Sequence, residues 1–531
     1  MKKRLLALLF LVVPILTFAQ EKGLDQQIDE AFKPVSDFFS SVIFFPVFGT
    51  PFVLILLVVS ALFFTLYFGF PNIRHFGTAI NVVRGKYDHV DHGVVEPAYG
   101  DSTQGGDAIE TIKDESQEGE VTHFQALATA VSGTVGNGNI AGVALAIALG
   151  GPGATFWMIV CGLLGMSTKF VECTLGVQYR DVGEDGTVYG GPMYYISKGL
   201  KERGFEMFGK IAAVLFAIFC IGGSFGGGNA AQSNQATIVI KEMFGWESTA
   251  AGAIVGVVLA VLVGIIIIGG IKRIASVTEK VVPFMAVLYI LACLYILGAN
   301  FSLIDDAIGL IVKEAFNPTA IGVGGVIGVL LVGFRRAAFS NEAGAGSASI
   351  AHSAVKTKYS ASEGLVALLE PFIDTVVICT MTALVIIIFN FGGFFEYGGD
   401  GTGTGGVLID GIELEGAGIT SRAFAEYIPF SDVFLTIAVV LFAVSTMISW
   451  SYYGLQSWKF LFGRGKAADL TYKLLFLLFV VIGAAASMSS IWAFSDAMIF
   501  AMVFPNMIGL YFLFPVVKKQ LNRYLDAIKA G

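Results

Sequence analysis

AVSGTVGNGNIAGVA, residues Ala130 to Ala144, has the hydropathy of a membrane helix but not its backbone chemistry. Four glycines (Gly133, Gly136, Gly138, Gly142) stand among Ser132, Thr134, Asn137 and Asn139 inside an apolar span. Glycine costs about 1 kcal/mol relative to alanine inside a helix, and two in alternation open one. In hydrocarbon an opened helix leaves amides and carbonyls unpaired unless protein, water or a ligand meets them. A ligand is the economical explanation. A second such stretch, Ser340 to His352 (SNEAGAGSASIAH), follows about 210 residues later. Paired interruptions of this kind point to a transporter binding site.

Composition sets the class. The chain is 55% hydrophobic and 14% charged, against about 25% charged in ordinary soluble domains. It reads as an all-α polytopic membrane protein. A net charge of −8 with no basic cluster speaks against a nucleic-acid partner. Cys161, Cys173, Cys220, Cys293 and Cys379 are scattered through apolar segments without a CxxC pair, so neither a disulfide framework nor a metal site is indicated.

Residues 1–19 place Lys2, Lys3 and Arg4 before a short apolar run, the layout of a cleaved secretory signal, with an uncleaved anchor as the competing reading. Residues 20–47 read as an extracytoplasmic surface segment, and 48–121 as a first transmembrane helix (48–70) and an acidic cytoplasmic linker. Ten further spans follow, at 122–149, 154–177, 210–236, 249–270, 277–300, 319–348, 363–391, 429–456, 468–487 and 489–516, about eleven in all. Each is long enough for about 30 Å of hydrocarbon. Lys and Arg gather in alternate loops, from Arg74, Arg84 and Lys86 to Lys518, Lys519 and Arg523. Positive loops face the cytoplasm, which puts the mature N-terminus outside and the tail 517–531 inside. The ten spans divide into five-helix repeats, 122–300 and 319–516, whose interrupted helices, 122–149 and 319–348, run in opposite directions. That is the requirement of an inverted repeat.

HFQALATAVSGTVGNGNIAGVA (123–144) and GFRRAAFSNEAGAGSASIAHSAVKT (333–357) resemble the two signature regions of the alanine or glycine:cation symporter family. So do TKFVECTLGVQYR (168–180), GGPMYY (190–195), FGGGNAAQSNQ (225–235) and STMISWSYYG (445–454). The resemblance runs from about residue 48 to the C-terminus. It implies a LeuT-type 5+5 inverted repeat with one additional N-terminal helix, located in the bacterial inner membrane, and import of alanine or glycine with sodium. The leader, the linker 96–120 and the Gly- and acid-rich outer loop 391–418 depart from the pattern.

Rival motifs fail on context. GxGxxA at Gly136–Ala141 lacks the preceding strand of a dinucleotide site. Gly222–Gly228 lacks the Gly-Lys-Ser/Thr ending of a phosphate loop. No HExxH and no GxSxG elbow supports an enzyme. A channel-like protein stays open as an alternative, although a pore has no need of paired breaks. Gly165, Gly252, Gly256 and Gly264 read as small residues that let helices pack closely. Among intramembrane charges, Glu342 reads either as a cation ligand or gate, or more simply as the ion-pair partner of Arg335 or Arg336. Glu370 precedes Pro371, which is expected to kink its span.

The expected site follows. Amides of Gly136, Asn137 and Gly138 receive a substrate carboxylate, as half-helix N-termini do. Thr134, Phe339 and Ser340 border its amino group. By resemblance, Thr446 and Trp450, four apart on one helix face, wall the side-chain pocket with Gln232 and Phe339. Sodium takes the carbonyls of Ser132, Val135 and Phe442 and the hydroxyls of Ser445 and Thr446, because hard cations prefer oxygen. Asn139 offers a further amide oxygen. No cofactor and no obligatory protein partner is indicated, and a proton-coupled carrier built on Glu342 is the alternative.

Overall fold

In the computed structural model, which describes residues 24–91, 119–184, 186–246, 248, 250–318, 325–398 and 405–530, the interruption at Ala130–Ala144 is present but narrow. The helix His123–Thr134 ends, and after Val135–Asn137 the chain resumes as a π turn, Gly138–Gly142, leading into Val143–Gly150. The two halves are bent by 51°. Thr122 starts the first half with a capping box, its hydroxyl accepting from the Gln125 N–H. Gly133 remains helical and Gly142 lies in the π turn, so two of the four glycines break nothing.

The second interruption is sharper. The helix Gly325–Asn341 stops at Glu342, and only the single-turn helix Ser349–His352 follows. Glu342, Gly344 and Gly346 all have left-handed φ, at 56°, 94° and 88°, which explains the AGAG spacing. A Cβ at Gly344 would lie 2.3 Å from Leu57 Cδ2. The expected span 319–348 is thereby corrected to Gly325–Asn341 plus an irregular crossing, with 319–324 outside the described residues.

Most of the described chain is helical. Among the described residues, seven helices are long and apolar enough to cross a membrane, or eight if the bent pair counts as one span. They include Gly153–Gln178, Glu206–Phe244, Gly270–Ala299, Ser360–Asn390, Ser431–Phe462, Lys466–Ala485 and Met488–Ala530, with the shorter apolar helices Phe52–Tyr67 and Ala251–Ile267 beside them. Large apolar side chains such as Val258, Val261, Phe284, Leu291 and Leu294 stay exposed, as surfaces in contact with lipid do. Three two-stranded antiparallel hairpins, at 46–51, 181–189 and 407–414, and an isolated bridge between Val121 and Val355 are the β-structure among the described residues.

Small residues set the close packing. The helix Ala251–Ile267 lies on Lys466–Ala485, where a Cβ at Gly252 would sit 2.6 Å from the Ala484 carbonyl and one at Gly256 2.8 Å from Ala484 Cβ. Three readings are adjusted. The segment 20–47 is largely a helix, Leu24–Ile43, packed on the final helix, with Ser36 Oγ donating to Ser490 O at 2.8 Å. That final helix continues from Met488 to Ala530 without a break at 516. The chain after Glu370-Pro371 does not simply kink but widens into π geometry at Phe372–Cys379. The leader 1–19 and residues 92–118 of the linker lie outside the described residues.

Candidate functional site

The two interruptions meet. A Cβ built on Gly138 would lie 3.2 Å from Ser340 Oγ, and one on Gly136 2.4 Å from Thr446 Oγ1. Only glycine lets the first break approach both neighbours. Between them lies a small cavity lined by Gly133, Thr134, Gly138, Gly227, Gln232, Phe339, Ser340, Glu342, Trp450 and Ile499. Six of these are among the expected substrate residues: Thr134, Gly138, Gln232, Phe339, Ser340 and Trp450.

Gly136 and Asn137 sit behind that wall, and their amides are already engaged. Gly136 N–H donates to Asn139 Oδ1 at 2.9 Å, and Asn137 N–H donates to Gln232 Oε1 at 2.9 Å. Side-chain oxygens thus stand where a carboxylate oxygen was expected. Gln232 is itself positioned by Nε2 donating to Gly227 O at 2.9 Å. Thr446 Oγ1 turns from the cavity to the Ser132 carbonyl, donating at 3.0 Å.

Trp450 gives the cavity its size. Its indole packs on the bare backbone of Gly228, where a Cβ would lie 2.1 Å from Trp450 Cγ. The glycine run 226–228 adopts π geometry to make that room. The indole Nε1–H donates to Glu342 Oε1 at 2.8 Å, and Ser347 Oγ donates to Glu342 Oε2. Glu342 therefore faces the cavity and not the arginines. The simpler reading of Glu342 as an arginine partner is corrected, because Arg335 Nη2 and Arg336 Nη2 both pair with Asp496 Oδ2. Phe339 stacks on Trp492 with ring centroids 4.8 Å apart.

The oxygens named for sodium are drawn together by the helix Ser431–Phe462 lying along the first half of the broken span. Ser132 Oγ donates to Ser445 O at 2.7 Å, and Ser445 Oγ donates to Phe442 O at 2.9 Å. With Thr446 on the Ser132 carbonyl, four of the six residues form one buried polar knot, and Val135 is the next residue of the break. Asn139 stands apart, with Nδ2 donating to Asp374 Oδ1 at 2.7 Å.

Both ends of the site are covered. At the Gly150 end, the chain returns as the hairpin 407–414 and the helix Ala417–Ala425, with Thr420 Oγ1 donating to Ile140 O at 3.1 Å and Ala417 N–H to Gln235 Oε1 at 3.0 Å. At the His123 end, Val121 bridges Val355, and a buried acid–base chain runs inward. His123 binds Glu363 and lies 3.7 Å from Asp91; His352 lies 2.5 Å from Glu363 and 3.5 Å from Glu370; Glu370 pairs with Lys169 at 3.0 Å.

Sequence reasoning gave no cavity role to Gly133, Gly227 and Ile499. Gly227 carried a signal, three consecutive glycines ahead of Gln232, whereas Ile499 carried none.

The sequence model of the Sodium:alanine symporter family matches residues 104–531. "Sodium/alanine symporter AgcS" of Methanococcus maripaludis is 39% identical over 481 residues, covering 90% of this chain and 95% of that protein. "Probable sodium/glutamine symporter GlnT" of Bacillus subtilis is 35% identical over 412 residues, covering 77% of this chain and 80% of that one. Among solved structures, MhsT in complex with L-phenylalanine aligns with 76% of this chain and 99% of its own at 15% identity and a TM-score of 0.47. The chain is a multi-pass membrane protein, a transporter and not an enzyme, and it belongs to the sodium:alanine symporter family.

Proposed function

We propose that this protein imports a small neutral amino acid, alanine before glycine, together with sodium, by alternating access in a LeuT-type 5+5 inverted repeat of about eleven spans. The observation that carries the reading is the small cavity where both interrupted helices meet, covered at both ends. A zwitterion needs two unlike ends of site. The amides of Gly136 and Asn137, now held by Asn139 and Gln232, supply one when the substrate carboxylate replaces those side-chain oxygens. Thr134, Phe339 and Ser340, with the Glu342 carboxylate behind them, supply the other. The small cavity walled by Trp450, Phe339 and Ile499 favours a short side chain, and so alanine over the glutamine in one relative's name.

Sodium sits on the carbonyls of Ser132, Val135 and Phe442 and the hydroxyls of Ser445 and Thr446, oxygen donors of the kind a hard cation takes. The halves 122–300 and 319–516 carry the repeat. The mature N-terminus lies outside and the tail inside in the bacterial inner membrane, as the basic loops require. The decisive experiment is uptake of labelled alanine into proteoliposomes under a sodium gradient at fixed pH, then under a pH gradient without sodium. Accumulation under the first alone is expected. Accumulation under the second alone would make the carrier proton-coupled, and entry of unrelated solutes without saturation would make it channel-like. Ser445→Ala with Thr446→Val should raise the sodium concentration for half-maximal uptake at least tenfold; unchanged sodium dependence would move the ion elsewhere.

A further inference from the structure

On either side of Trp450 and beyond it, the helix Ser431–Phe462 carries a row of polar side chains with nothing to bond. Ser449 Oγ, Tyr453 Oη and Gln456 Oε1 are buried without a hydrogen-bond partner. They stand at i, i+4 and i+7 and so share one helix face. Thr446, a further turn back on that face, meets the first broken helix at the Ser132 carbonyl. Gln456 keeps one bond, its Nε2 donating to Val188 O at 3.4 Å. Tyr453 keeps none at its hydroxyl. The other fully buried tyrosines, Tyr195, Tyr289, Tyr472 and Tyr524, each have a hydroxyl partner, in Asn506, Thr382, Ser224 and Asp91.

That hydroxyl reaches the edge of the cavity. The Tyr453 ring meets Trp450 edge-on with centroids 5.4 Å apart. A Cβ built on Gly133, a residue of the cavity wall, would lie 2.9 Å from Tyr453 Oη. Glycine there lets the hydroxyl rest against bare backbone, and any larger residue would push it away. The contact between the two helices at this point is thus close but holds no hydrogen bond. A buried polar group left unbonded destabilises the state that buries it. A seam with no bond to break also parts at little polar cost, and its groups gain partners once a polar solute reaches them.

We propose that this face of Ser431–Phe462 is the release route for the amino acid, with the Tyr453 hydroxyl as its first contact after the cavity. The inference rests on the alanine-import reading above. When the half-helix His123–Thr134 parts from Ser431–Phe462, the seam at Gly133 opens and the solute passes along the row toward the Phe462 end. A tyrosine hydroxyl both donates and accepts, so it serves either end of a zwitterion. Gln456 Oε1, one turn further on, accepts from the ammonium group next. Tyr453 stands behind Gly133 and outside the cavity wall, so it acts on the solute in transit and not on the solute held in the closed site.

The experiment compares three readouts on the purified full-length protein: equilibrium binding of labelled alanine, alanine exchange across proteoliposomes, and thermal unfolding. Tyr453→Phe should slow exchange at least tenfold while the alanine Kd stays within twofold. Its melting temperature should hold or rise, because the hydroxyl removed had no bond to lose. Unchanged exchange would overturn the inference. A Kd weakened tenfold would put the hydroxyl in the closed site, and a lowered melting temperature would give it a structural bond; either result overturns the route. Gly133→Ala, which sets a methyl group against the hydroxyl, should slow exchange as well, and adding Tyr453→Phe to it should not restore the rate. Recovery in that double variant would make the hydroxyl mere bulk, again overturning the inference while leaving alanine import intact. A wild type that neither binds nor exchanges alanine would instead remove the import reading, and this route with it.

Discussion

At Trp450 one residue sets both the shape and the charge of the site. Its ring fills the space that Gly228 leaves bare, and its N–H is a donor to a carboxylate that has no arginine beside it. Trp450→Phe keeps most of the wall and removes only the donor. Leaving a buried acceptor unmatched costs about 1–3 kcal/mol. Thermal unfolding of the detergent-solubilised variant should show a loss of that order, and the alanine KM should rise. A variant with unchanged stability and KM would mean that Ser347 alone suffices to hold Glu342. Asp496 illustrates the same rule, since one carboxylate answers two arginines that the sequence offered to Glu342.

Between elements, the acid–base chain is the fastening at the His123 end. It ties the first broken helix through His123, the single-turn helix through His352, and the helix Gly153–Gln178 through Lys169, all onto Glu363 and Glu370. Lys169 and Glu370 are both fully buried. Removing one partner of a buried pair strands the other, at about 3–5 kcal/mol, whereas replacing both with apolar residues is often neutral. Lys169→Met and Glu370→Met should each be severely destabilised, and the double variant should recover much of the loss in thermal unfolding. A double variant as unstable as the sum of the singles would show that Lys169 and Glu370 are not coupled to one another. Glycine acts at this scale too: Gly252 and Gly256 let one apolar helix lie against the Ala484 turn of another, which no larger residue would permit.

For the whole molecule, the proposed import of a neutral substrate with a cation makes transport electrogenic. Each charge moved inward across 100 mV is worth about 2.3 kcal/mol, or about 50-fold in accumulation at roughly 1.4 kcal/mol per tenfold. Imposing an inside-negative potassium diffusion potential on sodium-loaded medium should raise alanine accumulation in proteoliposomes at constant sodium. Accumulation indifferent to voltage would mean that no net charge crosses with alanine.

The sequence by itself determined the membrane class, the order of the apolar spans and the location of both interruptions, because hydropathy, glycine and lone polar residues act within a few positions of chain. It also brought Gly138, Gln232, Phe339, Ser340 and Trp450 into one expected pocket, though through family motifs and not through spacing. Local propensity misjudged extent: Gly133 stays helical because neighbouring helices pack on it, and Ser340 to His352 unwinds over more of its length than glycine alone requires. Partner choice lay beyond the sequence altogether. Glu342 stands close to Arg335 and Arg336 in the chain, yet its partners are Trp450 and Ser347, and the arginines reach Asp496 some 160 residues away. Asp374 read as one more acid in an apolar span until the π geometry at Phe372–Cys379 set it between Asn139 and Ser340. Charges buried in a low-dielectric interior pair by distance in space, and that distance is fixed only when the helices pack.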